Sequence, residues 1–315
     1  MKPAALVISL LTRFVIPAAA HGWVGSITVA GKLYQGNGLG TSGAPSVIRQ
    51  VNTNSPVTSV SDPNLACGPN AQLAQLVADA NPGDPVAVDW VSTEGPWFHN
   101  VGPMLTYLAN CGSASCTQFD ASQAMWFKIQ QSGRDSSGWA QAQLNSGAPA
   151  NFTLPSNLAP GNYLLRHEII ALQNGVTEGG AEFYASCSQL SVGGSDSGEP
   201  SSSELVKLPG AYSATDPGIL VDVYSNPNAP YTFPGPPIAA FVSGDTPSAA
   251  GSVSSHPTTS THPATGTQPA GTLASAAPST SSTSCKLRRK TLIESSPVPS
   301  TKRHRALRNF YMVRK

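Results

Sequence analysis

Histidine placement is the first sign of chemistry in this chain. Of its six histidines, His256 and His262 fall in a Ser/Thr/Pro-rich stretch and His304 in a basic tail, which leaves His21, His99 and His167. His21 follows Ala18-Ala19-Ala20, so cleavage after Ala20 makes it the first residue of the mature chain. Its backbone nitrogen is then a free amine rather than an amide. The amine and imidazole of one residue can chelate a metal ion together, which an internal histidine cannot do without deprotonating an amide. One further imidazole completes three nitrogens, a donor set that suits the tetragonal preference of Cu(II) and its place at the top of the divalent affinity series. A histidine taken singly in a β-rich chain is more often a satisfied core or surface group; the position of His21 is what sets it apart.

The cleavage itself is read from residues 1–20. Lys2 precedes an apolar stretch from Ala4 to Leu11 that resumes at Phe14 to Ile16 and ends in small residues, the pattern of a secretory signal peptide. The stretch is shorter than the roughly 20 apolar residues of a membrane span, so the mature protein is expected to be secreted, extracellular and without a membrane partner. Cysteines in that compartment pair. Cys67, Cys111, Cys116 and Cys187 allow three connectivities, of which Cys111–Cys116 with Cys67–Cys187 is preferred. The first closes a tight loop, and the second closes about 120 residues, worth roughly 4 to 5 kcal/mol in the chain-entropy model. Cys285 stands apart, and no C-x-x-C pair is present, which argues against a thioredoxin-like site or a zinc ribbon.

The elements that must position these residues are strands. Only 11% of the 315 residues are charged while Gly and Pro number 29 and 28, a balance that disfavours long surface helices. Strand-like runs cover Trp23–Val29, Val86–Val91, Met104–Ala109, Met125–Gln130, Asn151–Leu154, Tyr163–Leu172, Phe183–Val192 and Ile219–Val223. Their spacing predicts an all-β, immunoglobulin/fibronectin III-like two-sheet β-sandwich, with long loops at 31–66 and 195–216. The formal net charge of +1 hides a division: residues 21–240 carry −9 and residues 285–315 carry +9. Between them, 36 of the 42 residues from Ser243 to Ser284 are Ser, Thr, Pro, Ala or Gly. The expected organisation is a signal peptide (1–20), a folded domain (21–240), a disordered linker (241–284) that is O-glycosylated, and a disordered basic tail (285–315) to which no nucleic-acid partner is assigned.

Five segments, in order, resemble the fungal lytic polysaccharide monooxygenases of auxiliary-activity family 9. They are His21-Gly22-Trp23-Val24; His99-Asn100-Val101-Gly102-Pro103-Met104 running on to Cys111; Gly161 to Leu172 with Arg166-His167-Glu168 at its centre; Gly180-Ala181-Glu182-Phe183-Tyr184-Ala185-Ser186-Cys187; and Asp216-Pro217-Gly218-Ile219 with Pro234-Gly235-Pro236. The resemblance implies one copper ion bound by the amine and imidazole of His21 and the imidazole of His99, with Tyr184 as an axial oxygen ligand. It also implies a catalytic role for a histidine beside the metal, here assigned to His167, and for the residue two before Tyr184. That residue is usually glutamine in the family and is Glu182 in this chain. Glutamine donates a hydrogen bond at any pH, whereas a glutamate donates only when protonated, so activity is expected to vary with pH more steeply than in glutamine-bearing relatives.

The implied activity is oxidative cleavage of β-1,4-glycosidic bonds at carbon 1 or carbon 4, in cellulose or another β-1,4-glucan, using O2 or H2O2. An external electron donor is needed, because no flavin, haem or nicotinamide motif is present, and the enzyme is expected to be monomeric. Tyr224 stands where relatives carry a sugar-stacking ring; Trp97, Phe98 and Tyr231 are weaker candidates. Asn151-Phe152-Thr153 is an N-glycosylation sequon. Two competing readings are a non-catalytic copper- or carbohydrate-binding sandwich and a glycoside hydrolase. The latter would need two carboxylates about 5 to 9.5 Å apart, drawn from Glu94, Asp120, Glu168 and Glu182. The tail, with its single cysteine, lacks the disulfide framework of a small cellulose-binding module.

Overall fold

A computed structural model describes residues 21–40 and 43–244. The segments expected to be a signal peptide and a basic tail, and nearly all of the expected linker, lie outside the described residues. Within them the chain forms twelve strands and six short 3-10 helices. The strands are β1 (Gly22–Val29), β2 (Lys32–Gln35), β3 (Ala78–Ala80), β4 (Pro85–Ser92), β5 (Gly95–Pro96), β6 (Met104–Asn110), β7 (Trp126–Ser132), β8 (Arg134–Asp135), β9 (Gly138–Trp139), β10 (Ala150–Thr153), β11 (Gly161–Ala171) and β12 (Glu182–Val192).

Two sheets make the sandwich. One has the order β10-β4-β1-β2, with β5 paired to β4; the other has the order β3-β12-β11-β6-β7. All pairs are antiparallel except β3 with β12, and β8 with β9 forms a separate hairpin. In β4 the inward residues Val86, Val88 and Trp90 are buried and alternate with half-exposed neighbours, the pattern of a sheet with one wet face. They meet Leu165, Ile169 and Ala171 of β11 in a core that also holds Val24, Ile27 and Tyr184. The predicted two-sheet sandwich is therefore the observed one, and seven of the eight predicted strands lie on observed strands. Ile219–Val223 does not. Its amides are spent on tight turns, Ile219 and Leu220 both donating to the Asp216 carbonyl, and Ile219 and Val223 are buried as loop residues.

The reason for that difference lies on the outer face of the second sheet. β11 is buried along Tyr163–Ala171 without alternation, because loops cover the side that faces away from the first sheet. Val57, Leu65, Leu208, Tyr212, Ile219 and Val223 pack there on Leu105, Leu164, Ile170 and Phe183, a second core beneath a layer of loops. Within it the Arg166 guanidinium makes two hydrogen bonds to the Glu168 carboxylate, at 2.6 and 3.0 Å, and donates to the carbonyls of Leu65 and Ala66. Tyr212 adds its hydroxyl to Glu168 at 2.6 Å. Disulfides Cys67–Cys187 and Cys111–Cys116, the preferred pairing, tie two of these loops down. The core also runs past residue 240: Phe241 packs on it, and Val242 is buried in it.

A buried ion pair strongly penalises loss of one member, because the other is left charged without compensation. Glu168→Ala is expected to lower the unfolding free energy by about 3 to 5 kcal/mol, read by chemical denaturation.

Candidate metal centre

Strand register brings separated segments to one end of the sandwich. β1 starts at Gly22 opposite Ser92, the last residue of β4. β6 starts at Met104, opposite Ser132 at the end of β7 and Ile169 near the end of β11. β12 starts at Glu182 opposite Ala171, the last residue of β11. His21 immediately precedes β1, His99 lies in the segment that leads into β6, and Tyr184 is the third residue of β12. The Tyr184 ring lies 6.5 Å from that of His21 and 5.9 Å from that of His99, centroid to centroid.

Trp97 is the wedge that holds this arrangement. It is fully buried, with its ring edge-on to Tyr184 at 4.8 Å and to His99 at 5.3 Å. Its indole N–H donates to Gln141 Oε1 at 3.3 Å, and Gln141 in turn donates to the Ile170 carbonyl. Glycine is required where the backbone closes on this wedge. A Cβ on Gly22 would lie 2.4 Å from the Val91 carbonyl and 2.8 Å from the Trp97 ring. At Gly102, which adopts φ +129°, a Cβ would lie 1.9 Å from the Ile170 carbonyl. The backbone of His21 is tied from the other side, its carbonyl accepting from Asn54 Nδ2 at 3.2 Å.

The polar atoms converge. The Tyr184 hydroxyl donates to Glu182 Oε2 at 2.9 Å and lies 3.4 Å from His99 Nε2, which is itself 3.4 Å from the same carboxylate oxygen. Burial, and then the Glu182 carboxylate, push the Tyr184 phenol well above its ordinary range, so it stays protonated. Among the described residues no group of three or more His, Cys, Asp or Glu side chains is assembled to hold a metal ion. Side chains at this end supply two imidazoles and a neutral phenol. With the main-chain nitrogen of His21 as a free amine, which removal of residues 1–20 would give, the set would fit a single Cu(II) ion in chemistry and number.

His167 is the one predicted site residue that the structure places elsewhere. It is buried between the sheets, its Nδ1 accepting from the Trp90 indole at 3.0 Å, and its ring is stacked on Phe152 at 6.0 Å. Its ring neighbours are Trp90 and Phe152, and Trp90 packs edge-on against Trp97, the ring that in turn meets Tyr184. Its register explains this: His167 lies opposite Ser186, two residues farther along β12 than Tyr184. It acts as a core acceptor for Trp90 rather than standing among the proposed ligands.

Other predicted residues divide by exposure. Tyr224 is 61% exposed. Trp97 is buried in the wedge, and Tyr231 donates its hydroxyl to the Gly218 carbonyl and packs on Trp139 and Phe233, so neither presents a free face to a sugar. Phe98 is half-buried, 4.3 Å from the His99 ring. Asn151 is exposed on β10. Of the carboxylates a hydrolase would need, Glu168 is sealed against Arg166 and Tyr212, and Asp120 caps the short 3-10 helix Ala121–Gln123. Sequence reasoning missed Trp90, Gln141 and Asn54. Trp90 alone carried a signal, its inward phase with Val86 and Val88.

Comparison with known proteins identifies the family and the fold. The family model for Auxiliary Activity family 9 (formerly GH61) matches residues 21–232. The AA9 family lytic polysaccharide monooxygenase D of Gloeophyllum trabeum is 48% identical over 237 residues, covering 74% of this chain and 68% of that protein. The AA9-X282 enzyme of Trametes coccinea is 41% identical over 232 residues, covering 70% and 80%. Among solved structures, a cellulose-active polysaccharide monooxygenase from M. thermophila superposes with a TM-score of 0.62 at 35% identity, over 69% of this chain and 98% of that one. The extended catalytic domain of H. jecorina LPMO9A gives a TM-score of 0.65 at 35% identity, over 74% and 96%.

The burial of His167 has a measurable cost in acid. Desolvation, and then the Arg166 charge, lower its pKa from 6.5 to about 3, so the folded state holds it neutral. Below pH 6.5 the unfolded chain takes up a proton that the folded chain does not. Stability from this residue is therefore complete above pH 6.5 and is lost as pH falls toward 3, by up to about 1.4 kcal/mol per pH unit. His167→Phe is expected to flatten the fall in unfolding free energy between pH 6 and pH 4, measured by denaturant titration at each pH.

Proposed function

The chain belongs to auxiliary activity family 9, formerly glycoside hydrolase family 61, which makes it a lytic polysaccharide monooxygenase, and we propose that it is a secreted, copper-dependent one that cleaves the β-1,4-glycosidic bonds of cellulose. The observation that carries this reading is the convergence of His21, His99 and Tyr184 on one end of the sandwich. On this reading residues 1–20 are removed as a signal peptide, the catalytic domain runs from 21 past the expected 240 to take in Phe241 and Val242, the linker follows it to 284, and 285–315 are a tail with no assigned role.

Bound copper would supply the redox chemistry that, with O2 or H2O2 and an external electron donor, breaks a strong C–H bond at carbon 1 or carbon 4 of the sugar. The remaining work falls to the chain's own groups. The His21 amine and imidazole and the His99 imidazole would hold the ion, and Tyr184, kept as a phenol by burial and by the Glu182 carboxylate, would offer it an oxygen. Glu182 fixes the direction of the Tyr184 hydroxyl through their 2.9 Å hydrogen bond. Trp97 excludes water from beneath the site and fixes the His99 ring, so the ligand geometry is prepared before any substrate arrives. Tyr224 stacks on a sugar ring, which suits a neutral polymer met by a domain of net charge −9 better than ion pairing would. Asn151 carries a glycan on the exposed edge of the first sheet.

Two experiments test this. The mature, copper-loaded protein incubated with cellulose and ascorbate is expected to release aldonic acids or carbon-4 ketoaldoses, detected by mass spectrometry. Release of unmodified oligosaccharides alone would indicate a hydrolase, and no release would indicate a binder. A variant with one extra residue ahead of His21 is expected to fold normally yet lose more copper affinity than the roughly 10- to 100-fold that removal of an outer hydrogen-bond partner costs. Unchanged affinity in a calorimetric titration would refute the amine–imidazole chelate.

A further inference from the structure

We propose that Arg134 is a positioning residue of the polysaccharide-binding surface: it clamps the loop that presents Tyr224, so that the ring is held in place before a sugar stacks on it. This rests on the reading of Tyr224 as a stacking residue and extends it to a residue outside the site.

The loop from Val223 to Pro230 starts in the outer core, where Val223 is buried, and then runs exposed from Tyr224 to Asn228. Its local bonds fix only its shape. Asp222 Oδ1 accepts from the backbone N–H groups of Tyr224 and Ser225 at 2.9 and 3.0 Å, and the Ala229 N–H donates to the Asn226 carbonyl. Where the loop stands is set from outside by Arg134. Its Nη1 donates to the Val223 carbonyl at 3.5 Å, and its Nη2 donates to the carbonyls of Asn226, at 3.4 Å, and Ala229. One planar guanidinium thus spans both ends of the turn, which a lysine ammonium, a point donor, cannot reproduce.

Arg134 is itself braced. It lies over the Trp139 ring, 5.2 Å from the centroid, and Trp139 packs edge-on against Tyr231 at 5.0 Å. The hairpin of β8 and β9 sits directly after Gly133, where a Cβ would come within 2.7 Å of the Phe233 ring. The assembly is rooted at the end of the sandwich that bears the metal site. β7 ends at Ser132 opposite Met104, just past the His99 segment, and the Val221 N–H donates to the Gly175 carbonyl in the connection that leads to Glu182. An exposed tyrosine on an unbraced loop would lose loop and side-chain freedom on meeting a sugar, and preorganisation removes that loss.

The test uses adsorption of the copper-free mature protein to cellulose, so that it does not depend on turnover. Tyr224→Ala, Arg134→Ala and Arg134→Lys are each expected to weaken adsorption by about 3- to 10-fold. The Arg134→Ala/Tyr224→Ala double variant is expected to bind no more weakly than Tyr224→Ala alone, with copper affinity unchanged throughout. Hydrogen exchange of the amides from Tyr224 to Ala229 is expected to quicken in Arg134→Ala. Unchanged exchange there, or additive losses in the double variant, would overturn the clamp. Adsorption untouched by Tyr224→Ala would instead overturn the stacking reading on which the clamp depends, a result distinguishable because exchange would still quicken.

Discussion

Because β11 and β12 pair without a bulge from Gly161–Val192 to Ala171–Glu182, the direction of every side chain on β12 is decided by the ladder as a whole. A slip of one residue would turn Tyr184 and Glu182 to the loop-covered face and bring Phe183 and Ala185 to the site. The slip is opposed on both faces at once. Inward residues of β11 are locked into the sandwich core, and outward ones into the second core under the loops. The Cys67–Cys187 disulfide anchors β12 at its middle. The β6 strand, paired to the other side of β11, inherits the same register and passes it on to His99.

The same double burial explains the charges in the interior. A loop layer laid over a sheet must satisfy its own carbonyls, and few sheet side chains can donate that far. Arg166 does so for Leu65 and Ala66, and Lys128, likewise buried, does so for Pro234. Burial lowers the Lys128 pKa to about 8, while the Glu168 carboxylate lies at the centre of the group. Loops that would otherwise drift over the sheet are thereby nailed to it, and among them is the segment that carries Ile219, Val223 and Tyr224.

How much of this was legible in the sequence depended on whether a residue's role was local. Alternation along Val86–Val88–Trp90 and the apolar runs of β11 and β12 gave the sandwich, and the place of His21 after Ala18-Ala19-Ala20 suggested the chelate that is proposed above. Ile219–Val223 was misread because an apolar run bounded by turn residues has the same pattern whether it pairs in a sheet or plugs a loop onto one. His167 was misplaced for a related reason. Alternation says which face a residue shares, and His167 does share the inward face with Ile169, but it does not say how far along that face the site extends. Trp97 read only as a weaker stacking candidate and is instead buried against His99 and Tyr184, and Arg134 left no signal, since the partners of both are brought together only by the finished fold.

Sheet edges carry the last consequence. In the first sheet both outer strands, β10 and β2, are four residues long, and Lys32 stands on β2. In the second, β12 is flanked by β3 and by bridges from Ile48 and Val57, and β7 is met by bridges from Val206 and Ile238. Neither sheet therefore offers a long, flat row of unpaired amides to another copy of itself. At high local concentration the fold is in this way guarded against edge-to-edge association through its sheets.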